Sequence, residues 1–147
     1  ARRESWAPRI RAVAGPAALA AWQRAAAAPT WPGGPVWLHG DVHPLNVLLH
    51  ADGSLAGVID FGDVCAGDPA SDLAVAWLMF DADARARFQA ACNLSGAYDE
   101  AVWTRAWAWA LGLVCVFSQA SDDMPALAAI ARHGLAETLA DPAGGIR

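Results

Sequence analysis

The chain has 147 residues, of which 56% are hydrophobic and 17% charged, the profile of one folded domain and not of a disordered or multidomain protein. Ten Arg and no Lys stand against fifteen acids, for a net charge of −5. That balance speaks against an extended surface for a nucleic-acid backbone, which needs a dense basic patch.

The predicted elements follow in chain order. Gly15-Pro16 opens a helix that runs through Leu19 and Trp22 and stops before Pro29. Pro suits a first helical turn, and the residue preceding a Pro resists the helical region. Residues 30–35 (Thr-Trp-Pro-Gly-Gly-Pro) form a loop by composition. Two short β segments, 46–50 and 55–60, flank Asp52-Gly53, a strong hairpin signal between apolar runs. Asp68-Pro69 then caps a helix with Leu73, Ala76, Trp77 and Phe80 on one face. A further helix runs from about Asp81 to Asn93, and another from about Asp99 to Gln119. The latter carries Trp103, Trp107, Leu111 and Val114 at spacings of four, four and three, a stripe expected in the core. A last helix follows Asp122-Asp123 and ends at Asp141-Pro142. The sum is a single, mainly α domain built around one small hairpin.

Charge is uneven: residues 1–24 hold five Arg and one acid, and the remainder holds five Arg and fourteen acids. Such an acidic body fits a cationic small molecule or a metal–nucleotide better than nucleic acid, although solvated faces account for most such charge. Among the later acids, Asp99, Glu100, Asp122, Asp123 and Glu137 are either solvated or available to a polycation. Cys65, Cys92 and Cys115 form no Cys-x-x-Cys pair and are expected as small buried residues in a reducing cytoplasm. The longest apolar run, 106–117, has twelve residues against the roughly 20 that span a bilayer, so no membrane is expected. The Arg-then-Ala opening lacks a cleavage site for a signal peptide, and a start at Ala1 suggests a fragment or a processed product.

Chemistry concentrates in residues 38–60, where His39, Asp41, His43, Asn46 and Asp60 alternate with turn formers and apolar residues. Asp41 lies on a loop that Gly40 and Pro44 keep from becoming helical. Because the hairpin returns the chain on itself, Asn46 and Asp60 emerge at one end, near Asp41. Two carboxylates and an amide oxygen are hard ligands of the kind that suits Mg²⁺, which takes few protein ligands beside phosphate oxygens. His39 and His43 stand four apart, but Gly40 and Pro44 forbid the helix that would make them a metal pair. A structural role, bonding backbone around the loop, is expected of both.

The stretch His-Gly-Asp-x-His-x-x-Asn (39–46), with Ile-Asp-Phe (59–61) and Gly-Asp-Pro-x-x-Asp-Leu-Ala (67–74), resembles the aminoglycoside phosphotransferase and choline kinase-like family. The resemblance implies an α+β, mainly α fold, the C-terminal catalytic lobe of a protein-kinase-like fold, with residues 1–147 as one domain. It implies an O-phosphotransferase that uses ATP or GTP and Mg²⁺ on a small-molecule hydroxyl, for example of an aminoglycoside-type antibiotic. By the same resemblance Asp41 receives the acceptor hydroxyl, Asn46 and Asp60 hold the metal, and Asp72 braces the catalytic loop beside the structural His39. For Asp72 an ordinary acid in a first helical turn is the competing reading. The family's nucleotide-binding lobe should hold a phosphate-pairing Lys and a Gly-rich loop. Neither occurs here, so that N-terminal lobe is expected as a partner outside this chain. Gly40 replaces the Arg with which protein kinases engage a phosphorylated activation loop, and the nine residues between Gly62 and Asp72 are too few for such a loop. Two alternatives remain at this point. One is a metal-dependent phosphohydrolase using His39, Asp41, His43 and Asp60; the other is a non-catalytic, truncated kinase lobe.

Overall fold

The computed structural model describes residues 2–119 and 124–141. Helix α1 (Arg2–Ala26) is two helical segments joined at Gly15, whose φ of 85° and ψ of 175° interrupt the helical path just before Pro16. The segment from Pro16 matches the sequence expectation. The segment before it does not, and its Trp6 and Ile10 join Ala18, Ala21, Trp22 and Ala25 in the core.

Four short strands follow in two antiparallel pairs. Strands β1 (Val36–Leu38) and β4 (Cys65–Gly67) pair in the register Val36 with Gly67 and Leu38 with Cys65. Strands β2 (Val47–Leu49) and β3 (Leu55–Val58) form the expected hairpin, with Val47 opposite Val58 and a bulge between Leu48 and Leu49. Its turn is tied by Asp52, whose carboxylate accepts from the Ser54 N–H at 2.9 Å and the Ser54 hydroxyl at 2.6 Å. Those two donors hold the exposed Asp52 carboxyl below its ordinary range. The hairpin strands are shorter than expected. Asn46 closes a 3₁₀ turn (Pro44–Asn46) ahead of β2, and Asp60 lies two residues past β3.

The helix expected after Asp68-Pro69 is broken into α2 (Ala70–Leu73) and α3 (Val75–Met79), and Phe80 has extended backbone beyond the end of α3. Helix α4 (Ala82–Cys92) starts where expected, with the Asp81 carboxylate accepting from the Ala84 N–H at 2.8 Å. Helix α5 (Glu100–Gln119) is capped by Asp99, which accepts from the Val102 N–H at 2.9 Å. Helix α6 (Pro125–Ala140) ends at Asp141; Asp122, Asp123 and Pro142 lie outside the described residues.

Helix α5 is the centre of the lobe, packed by α1, α2 and α6. It is long and apolar enough to cross a membrane by length and composition, yet here most of it is buried within the fold. The Trp stripe is core: Trp103, Trp107, Leu111 and Val114 are all buried. The buried indoles also find acceptors, as amphipathic aromatic rings must. Trp22 donates to the Ala108 carbonyl at 2.9 Å, Trp107 to the Thr138 carbonyl at 3.0 Å. Where α1 crosses α5, a Cβ at Gly112 would stand 1.9 Å from the Trp6 ring, so the helices can meet only around a glycine.

Two buried cations tie the helices together. Arg85 reaches Glu137 on α6 at 2.7 Å and lies over the Trp77 ring, 5.6 Å from its centroid. Arg105 on α5 holds Asp68 through Nε to Oδ2 at 2.7 Å and Nη2 to Oδ1 at 3.2 Å, and also donates to the Pro29 carbonyl. Of the later acids, Glu137 and Asp99 thus serve an ion pair and a helix cap. Cys115 is buried, and burial pushes its thiol up to about 11. Cys65 corrects the expectation of buried cysteines: among the described residues β4 pairs only with β1, and the side chain is exposed.

Candidate active site

The two strand pairs bring the chemical residues together. Leu38, which ends β1, is paired with Cys65, which starts β4, so the residues after 38 and before 65 must run side by side. Val47 is paired with Val58, so the residues before 47 and after 58 meet as well. Segments 39–46 and 59–64 are therefore neighbours at both ends. The first carries Asp41 and Asn46, the second Asp60.

Contacts along this seam are specific. Gly40 has a φ of +88°, and a Cβ there would stand 2.2 Å from the Asp63 carbonyl oxygen, so only glycine allows the approach. The Ile59 N–H donates to the Asn46 carbonyl at 2.9 Å, and His39 Nε2 donates to the Ile59 carbonyl at 2.8 Å. The peptide leading into Asp60 is thereby gripped from both sides. Asp60 itself sits at φ 64° and ψ 64°, the one non-glycine residue at positive φ among the described residues. Asp tolerates this left-handed conformation better than most residues, and strain of this kind gathers at functional sites.

Asp72, in the first turn of α2, reaches the loop. Its Oδ2 accepts from the His39 N–H at 2.7 Å and its Oδ1 from the Gly40 N–H at 3.0 Å. One carboxylate thus anchors the two residues immediately before Asp41. Asp72 is placed in turn by α2, whose first turn is fixed by Asp68 accepting from the Ala70 N–H at 3.0 Å while bound to Arg105. The Gly-Asp-Pro-x-x-Asp stretch is therefore a strut from the core helix to the loop. Arg105, the far end of that strut, was not foreseen. Its only signal was a lone charge inside the apolar pattern of α5.

His39 meets backbone with both ring nitrogens. Its Nδ1 accepts from the Asp41 N–H at 3.3 Å, which leaves the proton on Nε2 for the Ile59 carbonyl, and its ring lies 4.6 Å from that of Phe61. His43 caps the 3₁₀ turn, its Nδ1 accepting from the Leu45 N–H at 3.3 Å. Its Nε2 faces a carboxylate, not backbone, lying 3.3 Å from Asp41 Oδ2.

Asn46 is buried, and its amide nitrogen donates to the Asp41 carbonyl at 2.9 Å and more weakly to Asp41 Oδ2 at 3.4 Å. Turned this way, the amide keeps its oxygen for another ligand. Asp60 is exposed and makes no side-chain capping bond. An amide oxygen and a carboxylate that receive no hydrogen bond among the described residues fit a hard divalent cation that completes its shell with phosphate and water. His39 has both ring nitrogens on backbone groups and His43 its Nδ1, and among the described residues no group of three or more His, Cys, Asp or Glu could hold a metal.

A cavity of about 300 Å³ opens beside Asp41. His43 and Asp63 line its polar side, and Trp6, Trp109 and Phe117 its aromatic side. The Asp41 side chain is 38% exposed, open to an incoming molecule, while the neighbouring His43 ring is only 11% exposed.

Comparison with known proteins bears on this arrangement. The chain is 33% identical over 78 residues to the uncharacterized protein YcbJ of Bacillus subtilis (strain 168). That match takes in 51% of this chain but only 24% of YcbJ, so the chain spans a minor part of the relative's length. The family model described as the phosphotransferase enzyme family matches residues 1–110, which include every residue of the seam and the helix core up to the middle of α5. With the loop, hairpin and strut of that family's motifs in place on a mainly α lobe, the chain belongs to the phosphotransferase enzyme family, the aminoglycoside phosphotransferase and choline kinase-like group with a protein-kinase-like fold.

Proposed function

We propose that this chain is the catalytic lobe of a cytoplasmic kinase that moves the γ-phosphoryl group of ATP or GTP to a hydroxyl of a small molecule, with aminoglycoside-type antibiotics among the candidate acceptors. The carrying observation is the orientation of Asn46. Its Nδ2 is spent on the Asp41 carbonyl, so the residue that ties down the catalytic loop keeps its amide oxygen for a cation, on a segment whose backbone is bonded to the one that leads into Asp60.

In this reading Asp41 accepts a hydrogen bond from the acceptor hydroxyl in the 300 Å³ cavity and directs its oxygen at the γ-phosphorus. The new P–O bond forms as the β–γ bridging P–O bond breaks, the diphosphate leaves, and Asp41 receives the hydroxyl proton. Asn46 and Asp60 would hold Mg²⁺, which when bound neutralises charge on the phosphate oxygens. His39 and Asp72 fix the backbone on which Asp41 stands.

The adenine and phosphate clamp belongs, in this proposal, to an N-terminal lobe outside the chain. Leu48, Leu49, Leu55, Ile59 and Phe61 are 43–63% exposed, an apolar surface that such a lobe would cover. Neither nucleic acid nor a membrane has a part in it. The phosphohydrolase alternative uses both histidines, and it is disfavoured because both ring nitrogens of His39 are on backbone groups.

The test is phosphoryl transfer by the natural full-length polypeptide, with labelled ATP and GTP against an aminoglycoside, a macrolide, choline, homoserine and a sugar. The expected result is nucleotide consumption that requires one acceptor class, with a phosphate monoester seen by ³¹P NMR. Equal nucleotide consumption without acceptor would favour a hydrolase. No consumption under any condition would favour a non-catalytic lobe.

A further inference from the structure

The two histidines of the loop are alike in sequence but differ in what they touch. Both ring nitrogens of His39 meet backbone groups, at Ile59 and Asp41. His43 meets backbone only through Nδ1, and its Nε2 stands 3.3 Å from Asp41 Oδ2 and 3.5 Å from Asn46 Nδ2. With Nδ1 accepting the Leu45 N–H, the ring proton falls on Nε2, and of these two neighbours the carboxylate is the one that accepts it.

Building on the phosphotransfer reading, we infer that His43 is the positioning residue for Asp41: its Nε2–H anchors Oδ2 and leaves Oδ1 as the oxygen that meets the acceptor hydroxyl. Left alone, a carboxylate turns readily, because the Asp χ2 torsion is broad and nearly two-fold. Among the described residues, His43 Nε2 stands 3.3 Å and Asn46 Nδ2 3.4 Å from Oδ2. Asn46 spends its better bond on the Asp41 carbonyl at 2.9 Å, so the orientation of the carboxylate falls mainly to His43.

The imidazole is itself held on three sides. It caps a 3₁₀ turn from an extended backbone (φ −151°, ψ 167°), with Pro44 immediately following to stiffen the turn. The ring of Phe117, from the core helix α5, stands edge-on at 5.7 Å and 81°. The anchor is therefore rigid and nearly buried, while the carboxylate it holds is open to the cavity.

Side-chain reach supplies the test, carried out on the full-length polypeptide with whichever acceptor of the panel above it phosphorylates. A Gln amide nitrogen reaches about as far as Nε2, whereas an Asn amide reaches only as far as Nδ1. His43→Ala and His43→Asn should lower kcat about 10–100-fold, the cost of a misplaced catalytic group, with KM for MgATP changed less than about 3-fold. His43→Gln should recover most of that loss. Equal losses in the Gln and Asn variants, or full kcat in Ala and Asn while Asp41→Asn is inactive, would overturn the inference. A second measurement needs no turnover: ¹⁵N–¹H correlation of the imidazoles should show His43 as the Nε2–H tautomer, with the Nε2 resonance shifting in Asp41→Ala. An Nδ1–H tautomer would refute the contact itself. Full turnover in Asp41→Asn would instead remove the phosphotransfer reading, leaving the tautomer result to decide the contact alone.

Discussion

Asp72 offers the sharpest perturbation of the loop without touching a reacting group. Its carboxylate accepts from two consecutive backbone N–H groups, at His39 (2.7 Å) and Gly40 (3.0 Å). Hydrogen bonds to a charged acceptor are worth about 1.5–3 kcal/mol each, so the pair has a ceiling of roughly 3–6 kcal/mol. Asp72 is partly open to solvent, which lowers the expected cost of Asp72→Ala to about 2–4 kcal/mol. Asp72→Asn keeps one acceptor oxygen but turns an NH₂ group toward an N–H, and should cost about 1–3 kcal/mol. Urea unfolding followed by the fluorescence of the eight Trp residues would read the shift, with an unchanged denaturant slope. Because the freed N–H groups belong to the residues just before Asp41, kcat should fall at least about 10-fold in both variants. If both stayed within about 0.5 kcal/mol of the wild type and kept full kcat, Asp72 would be an ordinary first-turn acid and the strut would be wrong.

Three other outcomes follow from the same geometry. Gly40→Ala should cost on the order of 2–4 kcal/mol in urea unfolding and most of the activity, because the added Cβ meets the Asp63 carbonyl at 2.2 Å in a left-handed conformation. Arg105→Met should cost about 2–4 kcal/mol by thermal or urea unfolding, since it leaves the Asp68 carboxylate without its partner, while the double variant with Asp68→Asn should recover part of that loss. Cys115 ionises at 9.0 when free and at about 11 when folded, so the unfolded chain sheds its proton first and stability should decline as pH rises across that interval. The decline should be shallower in Cys115→Ala, and alkylation at neutral pH should label the exposed Cys65 and spare Cys115 until the chain is unfolded.

What could be read beforehand divides along physical lines. Helices α4 and α5 begin at Asp81 and Asp99 because a capping carboxylate acts within three residues, a range sequence inspection covers. The hairpin turn at Asp52-Gly53 is equally local. The pairing of β1 with β4 is not: strands of three residues carry no usable alternation, and Leu38 and Cys65 lie far apart in sequence. The first segment of α1 is not legible because Gly15-Pro16 reads as a helix start, whereas Gly15 only interrupts a helix that already runs from Arg2 through Pro8, and Pro16 opens its second segment. The helix from Asp68 was drawn too long, through Phe80, where the chain in fact leaves α3 as extended backbone.

The site was legible as a set of residues but not as a set of contacts. Asp41, Asn46 and Asp60 were named from motif and hairpin logic, and the seam between residues 39–46 and 59–64 brings their segments side by side. The difference between His39 and His43 could not be read, since both precede turn formers and each satisfies a nearby N–H. Only the fold shows that the second ring turns toward a carboxylate.

The central claim is that Asp41 serves the acceptor and Asp60 the metal–nucleotide, and one paired measurement in the full-length polypeptide tests it most directly. Calorimetric MgATP affinity and phosphoryl transfer should be measured for Asp41→Asn and Asp60→Ala side by side. Asp41→Asn keeps the size of the side chain and removes the anionic acceptor, so MgATP binding should survive while turnover drops by about 10²–10⁴. Asp60→Ala removes an exposed carboxylate that the proposal assigns to the metal, so affinity and turnover should fall together. Loss of nucleotide binding in Asp41→Asn to the same extent as in Asp60→Ala, with turnover spared at saturation, would mean that both carboxylates act as metal ligands and would contradict the account.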